Sequence, residues 1–237
     1  MMKTFVIGDI HGRFEALKEV LELSKFNYKK DKLIVLGDIV DGGYEVFKVV
    51  EELLKIENLI YIYGNHDIWF IKHIKNGYNE NIWLNQGGCN TLNSYGGVCK
   101  DSGNLYDTPK SYDISNVNIP VTHQVFFNNG VYYYIQNNML FVHGGINPKI
   151  YNIDSQSKKT LLWDRHLINY CKRGNKVPIY DKVFVGHTTT QTYNSLKPIK
   201  YKNLWMLDTG AGWNGKLTIM NIETEEYYQS KIQNKPI

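Results

Sequence analysis

Five short apolar runs in this 237-residue chain stop at a glycine beside a side chain that can bind a metal, and that recurrence restricts the fold more than any other feature. Thr4-Phe5-Val6-Ile7 runs into Gly8-Asp9-Ile10-His11-Gly12. Lys32 to Leu36 runs into Gly37-Asp38-Ile39-Val40-Asp41-Gly42, and Leu59 to Tyr63 into Gly64-Asn65-His66-Asp67. Later, Met139 to Val142 precedes His143-Gly144-Gly145, and Val183 to Val185 precedes Gly186-His187-Thr188. A buried strand that ends in a glycine turn presents its next side chain at the sheet edge, where α/β folds hold their ligands. Between the first three runs, Phe14, Leu17, Val20 and Leu21, then Val46, Phe47, Val50, Leu53 and Leu54, recur at helical spacing. Strand and helix therefore alternate as crossover connections require, and a third helix is expected from His66 to about Lys75.

The ligand types select the chemistry. Asp9, His11, Asp38, Asn65, His143 and His187 offer oxygen and imidazole nitrogen with no thiolate, a set suited to Mn, Fe or Zn. Six ligands exceed what one tetrahedral ion uses, so two divalent ions sharing a carboxylate are expected, manganese first, with iron or zinc as alternatives. Two metals ~4 Å apart clamp an in-line displacement at phosphorus, which points to phosphoester hydrolysis. Asp, Asn and Gly at one strand end are ordinary turn chemistry, but turns have no need of three histidines at such ends.

In their order these five blocks resemble the signature of the calcineurin-like metallophosphoesterases, in the branch that holds the phosphoprotein phosphatases and the symmetrical diadenosine tetraphosphatases. The resemblance runs from Phe5 to about Thr218 and takes in Trp83 to Tyr95, Leu161 to Arg165 and Leu207 to Leu217, as in bacterial and phage members. It implies one domain over residues 1–237, an α/β/β/α four-layer sandwich of two mixed sheets flanked by helices. It also implies one metal on Asp9, His11 and Asp38, the other on Asp38, Asn65, His143 and His187, and Asp38 as the bridge. His66 would protonate the leaving oxygen with Asp41 orienting its ring, and Arg165 would bind substrate phosphate.

Two departures bear on the substrate. The second motif of the family ends Asp-Arg-Gly, whereas here it is Asp41-Gly42-Gly43, so one of two phosphate-gripping arginines is missing. Losing one charge-assisted contact weakens monoester binding by ~1.5–3 kcal/mol. The third motif ends in Asp67, as in the tetraphosphatase branch. The first expectation is a serine/threonine protein phosphatase acting as a phosphomonoesterase through a metal-activated water. The alternative is a hydrolase of dinucleoside polyphosphates or other nucleotide phosphodiesters. A binding module that merely kept the fold predicts lost ligands, and none is lost.

Composition excludes other classes. Twenty-seven basic against 23 acidic side chains leave +4, with no basic cluster beyond pairs such as Lys29-Lys30, too balanced for nucleic-acid binding. No apolar run approaches the ~20 residues of a membrane span, and the start enters strand material at once, so a cytoplasmic protein is expected. Cys89, Cys99 and Cys171, an odd number without CxxC spacing, read as reduced thiols. The polar, aperiodic stretch from about Lys100 to Asn118 reads as a cap over the site. Trp83 to Tyr95 reads as turns beside it. His73 and Arg13 are assigned to the surface, His123 to a structural role, and Gln229 to Ile237 to a frayed tail. Asp208-Thr209-Gly210 lacks the second copy an aspartic protease needs. Gly210 to Gly215 lacks a following helix, so both belong to a glycine-rich turn within the second sheet.

Overall fold

The computed structural model describes residues 2–234. Along the chain, β1 (Thr4–Ile7), α1 (Phe14–Leu23), β2 (Lys32–Val35), α2 (Val46–Leu53), β3 (Asn58–Tyr61) and α3 (Asn65–Asn76) come first. A bent helical segment follows, α4 (Asn81–Trp83), a π-helical turn (Leu84–Gly88) and α5 (Cys89–Ser94), leading to the hairpin β4 (Val98–Lys100) and β5 (Ser111–Asp113). Next are α6 (Val121–Asn128), β6 (Tyr133–Gln136), β7 (Met139–Val142), α7 (Lys158–Trp163), α8 (His166–Lys172) and β8 (Lys182–Val185). The last strands are β9 (Ile199–Tyr201), β10 (Leu204–Met206), β11 (Thr218–Asn221) and β12 (Tyr227–Gln229).

Two five-stranded mixed sheets, ordered β12-β11-β1-β2-β3 and β6-β7-β8-β10-β9, make the inner layers. In each, three neighbouring strands are parallel: β1, β2 and β3 in one, β7, β8 and β10 in the other. The apolar runs are continuous because each sheet is covered on both faces. Phe5, Ile7, Leu33 and Val35 pack under the helices of the first outer layer, while Val6 and Ile34 point the other way, between the sheets. Leu140, Val142, Val183 and Val185 likewise meet α7 and α8, and Phe141 and Phe184 turn inward, their rings stacked 5.0 Å apart. Fully burying one such ring is worth about 1.5–3 kcal/mol. The result is the four-layer α/β/β/α sandwich expected from the resemblance, with the carboxyl ends of β1, β2, β3, β7 and β8 leading into the five motif turns.

Several expectations are corrected. Trp83 to Tyr95 is helical, kinked at Gly87, and its buried Trp83, Leu84 and Leu92 pack into the first core. Cys89 and Cys99 are joined in a disulfide with Cα atoms 4.8 Å apart, and Cys171 alone is a buried free thiol. The Gly96-Gly97 turn folds β4 back on α5, where Asn93 exchanges hydrogen bonds with the Cys99 backbone. His73 is buried, its ring stacked on Phe70 and its Nδ1 donating to the Tyr78 carbonyl. His123 is buried between the Tyr95 hydroxyl and Glu51, a structural position. The glycine-rich turn lies between β10 and β11 and so crosses from one sheet to the other, not within the second. Of the expected tail, Gln229 belongs to β12 and Ser230 exchanges hydrogen bonds with Leu217, while residues 235–237 lie outside the described residues. Among the described residues no helix is long and apolar enough to cross a membrane.

Candidate metal centre

The turns that end the strands are tight enough to force unusual backbone. His11, Asp38, Asp41 and His187 all have positive φ, 49°, 48°, 66° and 60°. Asp and His tolerate this region better than most residues, but it costs of order 1–3 kcal/mol per position and collects at functional sites. Glycine is required at two of the turns because polar ligand atoms occupy the space of a side chain: a Cβ on Gly64 would overlap Asp38 Oδ1, and one on Gly186 would overlap Asp9 Oδ1.

All six candidate metal ligands come together, and all but the partly exposed His187 are buried. Asp9, His11 and Asp38 form one group, Asp38, His143 and His187 a second, and within each the ligand atoms lie within 4.8 Å of one another. Asp38 belongs to both. His11 donates Nδ1–H to the Val40 carbonyl at 2.9 Å and His143 donates Nδ1–H to the Leu36 carbonyl at 2.7 Å, which leaves each Nε2 free to face the cluster. This backbone contact is the kind of second partner that fixes the tautomer of a ligating histidine. His143 Nε2 then lies 2.9 Å from Asn65 Oδ1 and 3.4 Å from Asp38 Oδ2. Asp9 accepts from the His187 backbone N–H, tying the first strand of one sheet to the second sheet.

The donor set fits cations. His187 Nε2 is buried without a hydrogen-bond partner among the described residues, a group that costs free energy unless something binds its lone pair. Burial lowers His187 to about 2, and burial also lowers His11 to about 4 against the pull of Asp38, so both rings keep their lone pairs. Burial, then Asp208 and Asp38, push the Asp9 carboxyl well above its usual range. Burial works against the Asp38 carboxylate too, yet His143 and His66 hold it below the ordinary value. Buried carboxylates that raise one another beside neutral imidazoles form a site short of positive charge, which a divalent ion supplies.

His66 opens α3, where its backbone N–H donates to Asp38 Oδ1 at 2.9 Å. Its Nδ1 is 2.7 Å from Asp41 Oδ2. Burial opposes the imidazolium, but Asp38 and Asp41 together raise His66 to about 9. Asp41, fully buried, also accepts from Thr91 Oγ1 at 2.6 Å and Trp83 Nε1 at 3.2 Å. The sequence offered no sign of these two partners, which reach Asp41 from a segment read there as turns. Asp67 accepts from the backbone N–H of Gly64, Asp38 and Ile39, so it braces two motif turns together and does not face the cleft.

A cleft of about 190 Å³ lies over the cluster, lined among others by His66, Arg165, His187, Asp208, Gln86 and Trp213. Arg165 is exposed and makes no hydrogen bond or ion pair among the described residues. Sequence reasoning gives Asp208 only a place in a glycine-rich turn. It is buried beside the cluster, and burial is the main cause that raises its carboxyl to about 6. Its own setting, an apolar strand running into Asp208-Thr209-Gly210, repeats the pattern of the other five blocks and was the available signal. Arg13 is half-buried and donates Nε–H to the Ala211 carbonyl at 3.0 Å, so it ties down the glycine-rich turn instead of lying on the helix surface.

Two nitrogen and oxygen clusters sharing one carboxylate, at the strand ends of a four-layer sandwich, define the class of dinuclear-metal phosphoester hydrolases. The chain belongs to the calcineurin-like phosphoesterases, whose family model matches residues 2–203. It is 26% identical over 98% of both chains to a symmetrical bis(5'-nucleosyl)-tetraphosphatase of Buchnera aphidicola subsp. Schizaphis graminum. The corresponding protein of Buchnera aphidicola subsp. Acyrthosiphon pisum is 43% identical over 86 residues, 35% of this chain and 31% of that one. Among solved structures, a candidate diadenosine tetraphosphatase superposes with TM-score 0.69 over 98% of this chain and 94% of the other, at 17% identity, which speaks to the fold alone.

Proposed function

We propose that this phosphoesterase hydrolyses nucleotide phosphoanhydrides, with dinucleoside polyphosphates such as diadenosine tetraphosphate as its first substrates. The observation that carries the hydrolytic reading is the pair of ligand groups that share Asp38. The full-length likeness to a symmetrical tetraphosphatase moves the substrate from phosphoprotein, the first expectation, to nucleotide. Gly42, where the family has a second guanidinium for a doubly charged monoester, agrees with that shift.

In this reading Asp9, His11 and Asp38 would hold one divalent ion, and Asp38, Asn65, His143 and His187 would hold the other. Such ions, when bound, lower the pKa of water and neutralise charge that develops at phosphorus. The protein's own groups do the rest. Arg165, unengaged at the cleft, presents a planar fork to a phosphate. His66 holds a proton for the leaving oxygen, and Asp41 keeps that proton-bearing ring oriented through Nδ1. Water adds to one central phosphorus, the P–O bond to the bridging oxygen breaks, and two ADP are formed.

Incubation of the manganese-loaded protein with diadenosine tetraphosphate and, separately, with phosphoserine and phosphothreonine peptides tests this. ADP release with inert peptides is expected. Phosphate release from the peptides with the dinucleotide left intact would return the assignment to a protein phosphatase.

A further inference from the structure

A second, larger cavity adjoins the cleft. It measures about 420 Å³, within the range of small-molecule sites, and shares His11, Gln86 and Trp213 with the cleft. One wall is backbone. Gly42, Gly87 and Gly212 meet there: a Cβ on Gly87 would overlap the Gly42 backbone nitrogen at 2.3 Å and one on Gly212 the His11 ring at 2.5 Å, while one on Gly42 would be in tight contact, 3.1 Å from His11 Cβ. Gly42 and Gly87 have φ of 75° and 104°, so the bare wall is a property of the backbone path itself. Asn90 pins it by donating to the Gly42 carbonyl at 2.5 Å.

The opposite wall is the loop of the β4–β5 hairpin. Asn85 holds that loop in place, donating to the Asp107 carbonyl at 2.8 Å and accepting from the Ser102 N–H at 2.7 Å. Leu105 from this loop and Trp213 from the glycine-rich turn are large apolar side chains left 42% and 43% exposed where they line the cavity. Among the described residues no lysine or arginine lines it, and Asp101 is the one carboxylate that does. A cavity with one glycine wall, exposed apolar side chains and an acid but no cation among its described lining residues disfavours phosphate and suits a neutral planar group with hydrogen-bond donors. Gln86, whose side-chain amide makes no hydrogen bond among the described residues, stands where this cavity meets the phosphate-facing cleft.

We infer that this cavity is the subsite for one nucleoside of the substrate, its base lying over the glycine wall against Trp213 and its phosphate chain passing Gln86 to reach the Asp38 cluster. Asp101 accepts from a sugar hydroxyl or a base amine. The inference rests on the nucleotide reading above and deepens it by naming where one nucleoside sits. It also assigns the 98–113 hairpin to substrate selection.

Leu105→Trp, which narrows the cavity from an exposed loop, and Asp101→Ala are compared with the unaltered protein, all loaded with manganese and matched for metal content and melting temperature. The rates with diadenosine tetraphosphate, p-nitrophenyl phosphate and a phosphoserine peptide are measured. Leu105→Trp is expected to raise KM for the dinucleotide about 10-fold at constant kcat and to lower the ratio of its kcat/KM to that of p-nitrophenyl phosphate by the same factor. Asp101→Ala is expected to act in the same direction by a smaller factor. Dinucleotide hydrolysis with KM unmoved in both variants would overturn the subsite and leave the proposed function standing. An unaltered protein inert to the dinucleotide, with Leu105→Trp raising KM for the peptide, would overturn both and give the cavity to a peptide side chain.

Discussion

Replacing Asp41 by asparagine tests the acid pair at its weakest point. The Asp41 carboxylate takes three donors on two oxygens: His66 Nδ1 at 2.7 Å, Thr91 Oγ1 at 2.6 Å and Trp83 Nε1 at 3.2 Å. An amide of the same shape has a single acceptor oxygen, so its NH₂ must face a donor. Facing Thr91 or Trp83, it strands one of those groups. Facing His66, it forces the ring into the tautomer with Nδ1 unprotonated and removes the charge that favours imidazolium. Each lost hydrogen bond to a charged group is worth about 1.5–3 kcal/mol, but the variant is also relieved of burying a carboxylate, so stability should change by no more than ~2 kcal/mol. Turnover should fall much further. With an alkyl phosphate, whose alkoxide cannot leave without a proton, the loss of a positioned acid predicts a decrease in kcat of ~10²–10⁴. With p-nitrophenyl phosphate, whose leaving group is stable as the anion, the decrease should be about 10-fold or less on the same reasoning. Steady-state kcat for both esters, with metal content measured alongside, decides it. Equal losses on the two esters would refute the idea that Asp41 acts through proton delivery by His66.

Further outcomes follow from other groups. His187→Ala removes the orphaned Nε2 from one ligand group and leaves the other intact, so metal analysis of protein dialysed against limiting manganese should show about one ion lost from two. Burial lowers His73 below 6.5, so the unfolded chain binds the extra proton first; the stability this ring supports is present above about pH 6.5 and is lost as pH falls toward the depressed value. The drop in urea midpoint from about pH 7.5 to about pH 5.5 should therefore be smaller in His73→Gln, and an equal drop would remove His73 as its source. Reducing Cys89–Cys99, which closes a loop of separation 10, should lower stability by about 2–3 kcal/mol in urea titrations with and without a thiol reductant.

The core and the candidate ligands were legible for one physical reason. A strand buried on both faces must be apolar throughout, and the turn that ends it must be glycine-rich to put a ligand at its tip, so Ile7 to His11 or Val185 to His187 carries its own position in its composition. Local order alone indicated that six such side chains belong to one site. What lay outside that rule was decided by packing between distant segments. Thr91 and Trp83 reach Asp41 because α4 and α5 cross the second motif turn; nothing in their neighbours marks them. Cys89 and Cys99 pair, and Arg13 grips the turn at Ala211, through chain reversals that spacing does not reveal. His73, assigned to the surface from the sequence, is buried because Phe70 and Trp83 close over it.

By itself, then, the sequence indicated six side chains that converge, since chelating types at strand ends can meet only at a sheet edge. Tertiary structure alone decided how they are held and what space adjoins them. The orientation of His66, the orphaned Nε2 of His187 and the cavity beside Gly42 each depend on where a neighbouring segment places its atoms, and that is a property of packing, which no local pattern of residues records.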